Sequence, residues 1–585
     1  MIGVPKLRSN LGLSNGEIAA KLIEIRTLAE MAGQPFYEYM AYEKAAASIE
    51  NAPPLAELVA SGKHLRLPGI GKKIGAVIEQ LLKTGTAEPL EVLHKRFPPT
   101  ILEVLNVDGI GTKSAAMLFD KFGIASLDDL ERALREGRLD DAPRLGVKTL
   151  ANWRRNLLAY KARVLRTPLA RARSIAREVM DYMAEGPPVH RLLPAGSMRR
   201  QEVTVGDIDL VCTAEDPQAV IARFASWERA EAVLAEGSTK ASIWLAGGLQ
   251  IDLRVLPPHV YGNLLQHFTG SRGHNIKVRE YAVRKGLRVS ENGILDLASG
   301  GIFTTAEEAE VYAHMGMDFI APELRSGLDE VDLALKGTLP KLVEIEDVRG
   351  DLHMHTTWSD GRDELEEMIE AAAARGYEYH AISDHSPGRG RFGLSAQRMR
   401  EQKDVIESLR GNYAIHTLHA SEVDVLEDGS LDYSDEVLAQ FDLVIASIHT
   451  GFHESRDAIT RRIVRACENP YVTIIGHPTG RRFGEFEGYE FDLNAVFSAA
   501  ARTGTALEID GQAPRLDLSG TMARHAATFG VTFALDSDAH RVEALEGVEL
   551  ALGQARRAGL TKDQILNAKP LPELLNFIRT KRSRH

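Results

Sequence analysis

Apolar residues recur at helical spacing near the start of the chain. Ile18, Leu22, Ile25 and Leu28 make one face, and residues 13–92 read as a run of short helices interrupted at Pro53-Pro54. The pattern then changes to strands. Leu192–Ala195 runs into a Gly-Ser turn, and Val205–Cys212 is apolar apart from Asp207 and Asp209. LQIDLRVL, with Asp252 at its centre, is built the same way. In the second half the short apolar runs AIS, VIAS, VTIIG and VTFAL alternate with helical patterns such as ELEEMIEAAAARG and RRIVRAC. Strand and helix in strict alternation predict a β/α barrel.

Side chains two apart on a strand share a face, so Asp207 and Asp209 stand side by side. Carboxylates that close repel each other unless a cation lies between them. With Asp252 on a neighbouring strand they predict an oxygen-rich site for two Mg²⁺ (or Mn²⁺), suited to phosphoryl transfer. Gly196-Ser197 followed by Arg199-Arg200 offers backbone N–H groups and guanidinium charge to a triphosphate.

At 585 residues the chain needs several cores. No apolar run has the length of a membrane span, so no membrane association is expected. Two distant cysteines, Cys212 and Cys467, imply no disulfide framework and fit a cytoplasmic setting. The net charge of −12 argues against nucleic acid only until its distribution is considered: Arg144 to Arg177 holds ten Lys/Arg and no acidic residue. LPGIGKKIG at 67–75 and LNVDGIGTKSA at 105–115 each place a Gly-x-Gly turn between helical patterns, with lysine just after. These look like paired helix-hairpin-helix motifs, which hold DNA backbone through amide groups at a helix start. Gly69, Gly71 and Lys73 of the first and Gly109, Gly111 and Lys113 of the second are the expected DNA contacts. A degenerate third copy is considered at PRLGVKT, 143–149.

Histidine is also uneven, 12 of the 19 lying at or after His353. DLHMHTTWSDG puts His353 and His355 on one face of a short strand and Asp360 in the loop beyond. His385, Glu422, His449, His477, Asp538 and His540 follow, nearly all just after apolar strand-like runs. Polar ligands at strand C-terminal ends are the active-site layout of a β/α barrel.

GS-x-RR, GDID and FTGS resemble the palm and thumb of the family X DNA polymerases, and the second half is similar to the PHP domain carried by bacterial members. The resemblance spans nearly the whole chain. It implies a multidomain fold: an all-α helix-hairpin-helix N-terminal region, an α+β nucleotidyltransferase palm and thumb, and a C-terminal distorted (β/α)7 PHP barrel. The expected divisions are 1–95, 96–175 (fingers-like), 176–260 (palm), 261–340 (thumb) and 341–585 (PHP).

By the same resemblance Asp207, Asp209 and Asp252 are catalytic, and Gly196, Ser197, Arg200, His267, Phe268, Gly270, Asn275 and Arg279 bind nucleotide. His267 stands where the family usually has tyrosine, and Val77 where a lyase lysine would stand. Nine ligands are too many for one tetrahedral zinc, and Glu422 is the residue best able to bridge. Three ions, Zn²⁺, Mn²⁺ or Fe, are expected. His353, His355, Glu422 and Asp538 would hold the first, Glu422, His449 and His477 the second, and Asp360, His385 and His540 the third.

The expected function is templated gap filling with a metal-dependent 3′→5′ exonuclease, and cleavage at abasic sites as a further activity. Expected partners are gapped or primed duplex DNA and dNTPs, with the chain a monomer. The alternative is a nucleotidyltransferase fused to a phosphatase for small phosphate esters, against which the paired helix-hairpin-helix motifs and the acid-free basic run speak.

Overall fold

The computed structural model describes residues 15–50, 55, 70–107, 109–140, 142, 145–164, 166–245 and 248–583. Gly69 therefore lies outside the described residues, as do Pro53-Pro54 and, in the candidate third copy at 143–149, Pro143 and Arg144. No helix among the described residues is long and apolar enough to cross a membrane.

The first part is all helix. The face expected from periodicity is buried: Ile18, Leu22 and Leu28 are fully covered and Ile25 nearly so. One apolar cluster runs from Ile18 through Leu81 and Leu118 to Leu157, so the segments 1–95 and 96–175 share a core. Gly71 caps the helix Lys72–Thr84 and Gly111 caps Thr112–Phe122, with nearly the same backbone angles (φ −84°, ψ 175° and φ −89°, ψ 174°). That identity is the structural trace of a repeated motif.

The palm sheet has five strands in the order β2-β4-β7-β6-β5, where β2 is Arg191–Pro194, β4 Asp207–Thr213, β5 Ala230–Glu236, β6 Lys240–Leu245 and β7 Gln250–Leu256. Only the β4–β7 pairing is parallel. The strand expected over Val205–Cys212 is split at Gly206. Thr204–Val205 (β3) pairs instead with Thr167–Pro168 (β1), and β4 begins at Asp207. The helix Leu169–Ala184 lies across the 175–176 division, its face Leu169, Ala172, Ala176 and Val179 buried in the palm core. The thumb holds the helices Tyr261–Thr269 and Arg272–Arg284 and a three-stranded sheet of Leu287–Ser290 (β8), Gly293–Asp296 (β9) and Ile302–Phe303 (β10). Leu342 belongs to the thumb cluster and Val343 to that of the second half, two residues past the expected division.

The second half is a seven-stranded parallel barrel in sequence order: β11 Gly350–Asp351, β12 Tyr379–Ile382, β13 His416–Asp424, β14 Leu443–Ser447, β15 Ile474–Ile475, β16 Ala506–Asp510 and β17 Phe533–Asp536. A parallel bridge between Met354 and Ala539 brings its two ends together. Nearly every strand residue is buried, as expected for parallel strands covered on both faces.

The halves are joined by packing as well as by chain. Leu516 and Leu550 of the barrel half are buried in the palm cluster, each contributing roughly 2 kcal/mol by area removed from water. Gln554 donates to the Gln201 carbonyl at 2.7 Å, and Arg557 meets Glu202 at 3.0 Å.

Candidate active sites

The parallel pairing of β4 with β7 sets Asp209 directly opposite Asp252, and Asp207 lies two residues earlier on the same face of β4. Oxygens of the three carboxylates lie within 4.8 Å of one another. Burial, then the charges of Asp207 and Asp252, push the Asp209 carboxyl up to about 7. A divalent cation would relieve both causes, so the donor set fits one. Gln250 donates its amide to both oxygens of Asp252, at 3.0 and 3.1 Å.

A cavity of about 680 Å³ opens over this edge. It brings together Asp207 and Asp209 with Gly196, Ser197, Arg200, His267, Phe268, Gly270, Asn275 and Arg279. Arg166, Glu202 and Arg272 also line it and were not singled out in the sequence. The two adjacent arginines separate. Arg199 is committed to Glu308 (2.7 Å) and the Thr269 hydroxyl (2.6 Å), in a buried group that includes Arg325. Arg200 faces the cavity, held by the Thr269 carbonyl at 2.6 Å. Asn275 donates to the His267 carbonyl at 2.8 Å, which fixes the rim of the cavity. The His267 ring lies 3.7 Å from Glu291.

In the helical part Gly71 and Gly111 stand exposed at their helix starts, with Lys73 and Lys113 also exposed. The Trp153 indole donates to the Gly109 carbonyl at 3.0 Å, tying that turn to the long helix Val147–Val164. Gly109 has φ +91°, and a Cβ there would meet Trp153 Nε1 at 3.3 Å. Val77 is buried at 5 % exposure, so no amine stands at that position.

In the barrel, β11 ends at Asp351, and His353 and His355 lie in the segment just beyond instead of on the strand. The Leu352 amide there donates to the Asp536 side chain at 2.8 Å in place of a ladder bond. The centre is Glu422 on β13. Its Oε2 lies 3.5 Å from His353 Nε2, 3.5 Å from His355 Nε2 and 3.0 Å from His385 Nδ1. Its Oε1 lies 3.2 Å from His449 Nε2 and 2.8 Å from His477 Nε2. Asp538 Oδ1 is 3.2 Å from His355 Nε2, and Asp360 is 3.4 Å from His385 and 3.3 Å from His540.

Three ligand groups emerge: His353, His355 and Asp538; His385, Glu422 and His449; His355, Asp360, His385 and His540. They depart from the expected sets in four places. Glu422 is absent from the group of His353 and Asp538, and His477 falls outside all three, although its Nε2 lies 2.8 Å from Glu422. His385 joins Glu422 and His449, and His355 also reaches the group around Asp360, because both of its ring nitrogens face acidic groups.

Burial works against charge on Glu422, but His449, His385 and His353 hold its carboxyl well below the usual range. Burial likewise opposes charge on His385, yet Glu422 and Asp360 raise it to about 10. Burial, with His540 and His385 beside it, lowers His355 to about 4. His353 Nε2, both His355 nitrogens, His385 Nδ1 and Asp538 Oδ1 are buried without hydrogen-bond partners. Orphaned donors and acceptors of that kind fit divalent cations.

Sequence reasoning missed the residues behind these ligands. Glu508 on β16 meets His353 Nδ1 at 2.6 Å, and Asp424 meets His449 Nδ1 at 2.6 Å. Each carboxylate orients an imidazole so that its other nitrogen faces Glu422. Arg515 was missed too. Its buried guanidinium lines the cavity, 3.6 Å from Asp538, and its Nε has no hydrogen-bond partner.

The comparisons agree with this layout. The chain matches a helix-hairpin-helix domain over residues 14–87, a SAM-like helix-hairpin-helix tandem over 101–157, the DNA polymerase beta thumb over 264–326 and the PHP domain over 351–509. It is 34 % identical over 568 residues to the DNA polymerase/3′-5′ exonuclease PolX of Bacillus subtilis, covering 96 % of this chain and 99 % of that protein. It is also 31 % identical over 228 residues to a probable phosphatase of Thermoanaerobacter, covering 37 % of this chain and 89 % of that protein. Another probable phosphatase, from Syntrophotalea carbinolica, is 29 % identical over 239 residues, 39 % of this chain and 95 % of that one. Matched across nearly its full length by a protein of the same two-part build, the chain belongs to the family X DNA polymerases that carry a C-terminal PHP domain.

Proposed function

We propose that this chain fills gaps in primed duplex DNA from dNTPs at the palm and shortens DNA 3′ ends at the barrel, acting as a monomer. The observation that carries the reading is two separate carboxylate-centred clusters in one chain, Asp207/Asp209/Asp252 and the Glu422 group, each opening into its own cavity.

At the palm, Asp207, Asp209 and Asp252 hold two Mg²⁺ (or Mn²⁺). Cations held there would supply charge neutralisation for nucleotidyl transfer. Ser197 and Arg200 take the triphosphate, and Phe268, Asn275 and Arg279 form the wall beside the new base pair. Asp252 accepts the proton of the primer 3′-hydroxyl, and the Gln250 amide keeps its carboxylate turned toward that proton. Gly71, Lys73, Gly111 and Lys113 grip backbone phosphate away from the chemistry.

At the barrel, His353, His355, Asp360, His385, Glu422, His449, His477, Asp538 and His540 hold three ions chosen from Zn²⁺, Mn²⁺ and Fe. Ions held there would supply Lewis-acid activation of a water molecule. Water adds to phosphorus and the P–O3′ bond breaks, leaving a 3′-hydroxyl on the strand and a released 5′-monophosphate. Glu508 and Asp424 keep two of the imidazoles aligned, and Arg515 offsets the charge that builds on the phosphate oxygens.

A 5′-labelled gapped duplex incubated in Mg²⁺ and in Mn²⁺ tests the reading. Extension with dNTPs and shortening without them is the expected result. Release of phosphate from small esters with no change in the labelled strand would favour the phosphatase alternative.

A further inference from the structure

The barrel cluster lies at the floor of a cavity of about 760 Å³, and one wall of that cavity belongs to the palm. Ala170, Arg173, Ser174 and Arg177 line it from the helix Leu169–Ala184. Their spacing of three, four and seven residues makes one helix face, while the opposite face packs into the palm core. Docking of the halves through Leu516, Leu550 and Gln554 fixes that helix against the cavity.

The two wall arginines differ. Arg173 is half-buried, bonded to the Gln201 side chain and within the field of Glu549 and Glu323. Arg177 is exposed and, among the described residues, has no carboxylate within ion-pair distance. Arg362 and Arg389 stand exposed elsewhere on the rim. A small ester seated on the cluster needs none of these. A polyanion that continues away from the cluster does, because its next phosphates must be met by charge along the wall.

We propose that Arg177 of the palm helix binds a backbone phosphate of the DNA strand being shortened, so that the nuclease site is built from both halves of the chain. The proposal rests on the nuclease reading above. It assigns the end of the acid-free basic run to the barrel's substrate.

The test compares a 5′-labelled single strand with bis(p-nitrophenyl) phosphate, a diester with no further phosphate to meet the wall, in the full-length protein. In Arg177→Ala the KM for the strand rises about tenfold with kcat nearly kept. The slope of log KM against log salt becomes shallower by ~0.7, one single-strand phosphate contact. Arg177→Lys recovers most of the loss, and Arg177→Glu exceeds it. The ratio of strand to small-diester kcat/KM falls about tenfold in the alanine variant. An unchanged KM and salt slope, or an equal fall on both substrates, would overturn the proposal. A parent protein idle on both substrates would instead overturn the nuclease reading, and this inference with it.

Discussion

A Cβ placed on Gly196 would stand 2.1 Å from Asp209 Oδ2 and 3.1 Å from its Cγ. The two residues cannot move apart, because the Ala195 amide donates to the Asp209 carbonyl at 2.8 Å and β2 is paired with β4. Gly196 also has φ +56°, where a side chain is strained. Glycine here lets the turn proposed to take the triphosphate touch the carboxylates. Gly196→Ala is expected to lower single-nucleotide insertion by about 100-fold or more, roughly 2.7 kcal/mol of barrier, with exonuclease activity kept. Insertion at the parental rate would contradict the close approach.

The raised carboxyl of Asp209 makes a prediction about stability. Its folded value, about 7, lies above the unfolded one of 3.8. Between those values the folded chain holds more protons at Asp209, so stability falls as pH rises through the window. In metal-free buffer Asp209→Asn should therefore melt above the parent at pH 8, with the gap closing near pH 4. Mg²⁺ should raise the parent's melting temperature more than the variant's. Calorimetry across pH, with and without Mg²⁺, would expose a pH-independent difference if the account is wrong.

Glu508 carries no ligand role, yet it fixes His353 through a 2.6 Å contact to Nδ1. Removing its charge in Glu508→Gln is expected to cost ~10- to 100-fold in metal affinity or exonuclease rate, with polymerisation intact. Metal content by mass spectrometry, read beside both activities, separates this from a folding defect.

Arg557 ties the barrel half to Arg200, the residue proposed to take the triphosphate, through Glu202. It meets Glu202 at 3.0 Å, and Glu202 in turn lies 3.7 Å from Arg200. Arg557→Ala should raise the KM for dNTP about fivefold, the effect of ~1 kcal/mol from a partly buried ion pair. Steady-state insertion at varied dNTP would show no change if the contact is idle.

Much of this was readable from residue spacing, and the reasons are specific. The face Ile18, Leu22, Ile25 and Leu28 follows the helical period, and Asp207 and Asp209 follow the strand period, so burial and pairing follow from pattern alone. The split at Gly206 was not legible, since the partner of Thr204–Val205 is a two-residue strand at Thr167–Pro168 that local pattern does not mark. Residue spacing did not tell adjacent Arg199 and Arg200 apart, and only the family resemblance picked out Arg200, because what separates them is Glu308, over a hundred residues later. Glu508 and Asp424 were invisible for a different reason. Each shares its strand with a second carboxylate, Glu422 on β13 and Asp510 on β16, and which one backs an imidazole shows only when that imidazole's place is known.

The central claim is that two independent active sites share this chain. It is tested most directly by following one 5′-labelled gapped duplex with the parent, with Asp207→Ala/Asp209→Ala and with Glu422→Ala, each with and without dNTPs. The palm variant should shorten the strand but never extend it, losing at least about a thousandfold in addition, roughly 4 kcal/mol. Glu422→Ala should extend it and leave its end intact when dNTPs are withheld. Extension by the palm variant, shortening by Glu422→Ala, or loss of both activities in either folded variant would contradict the account.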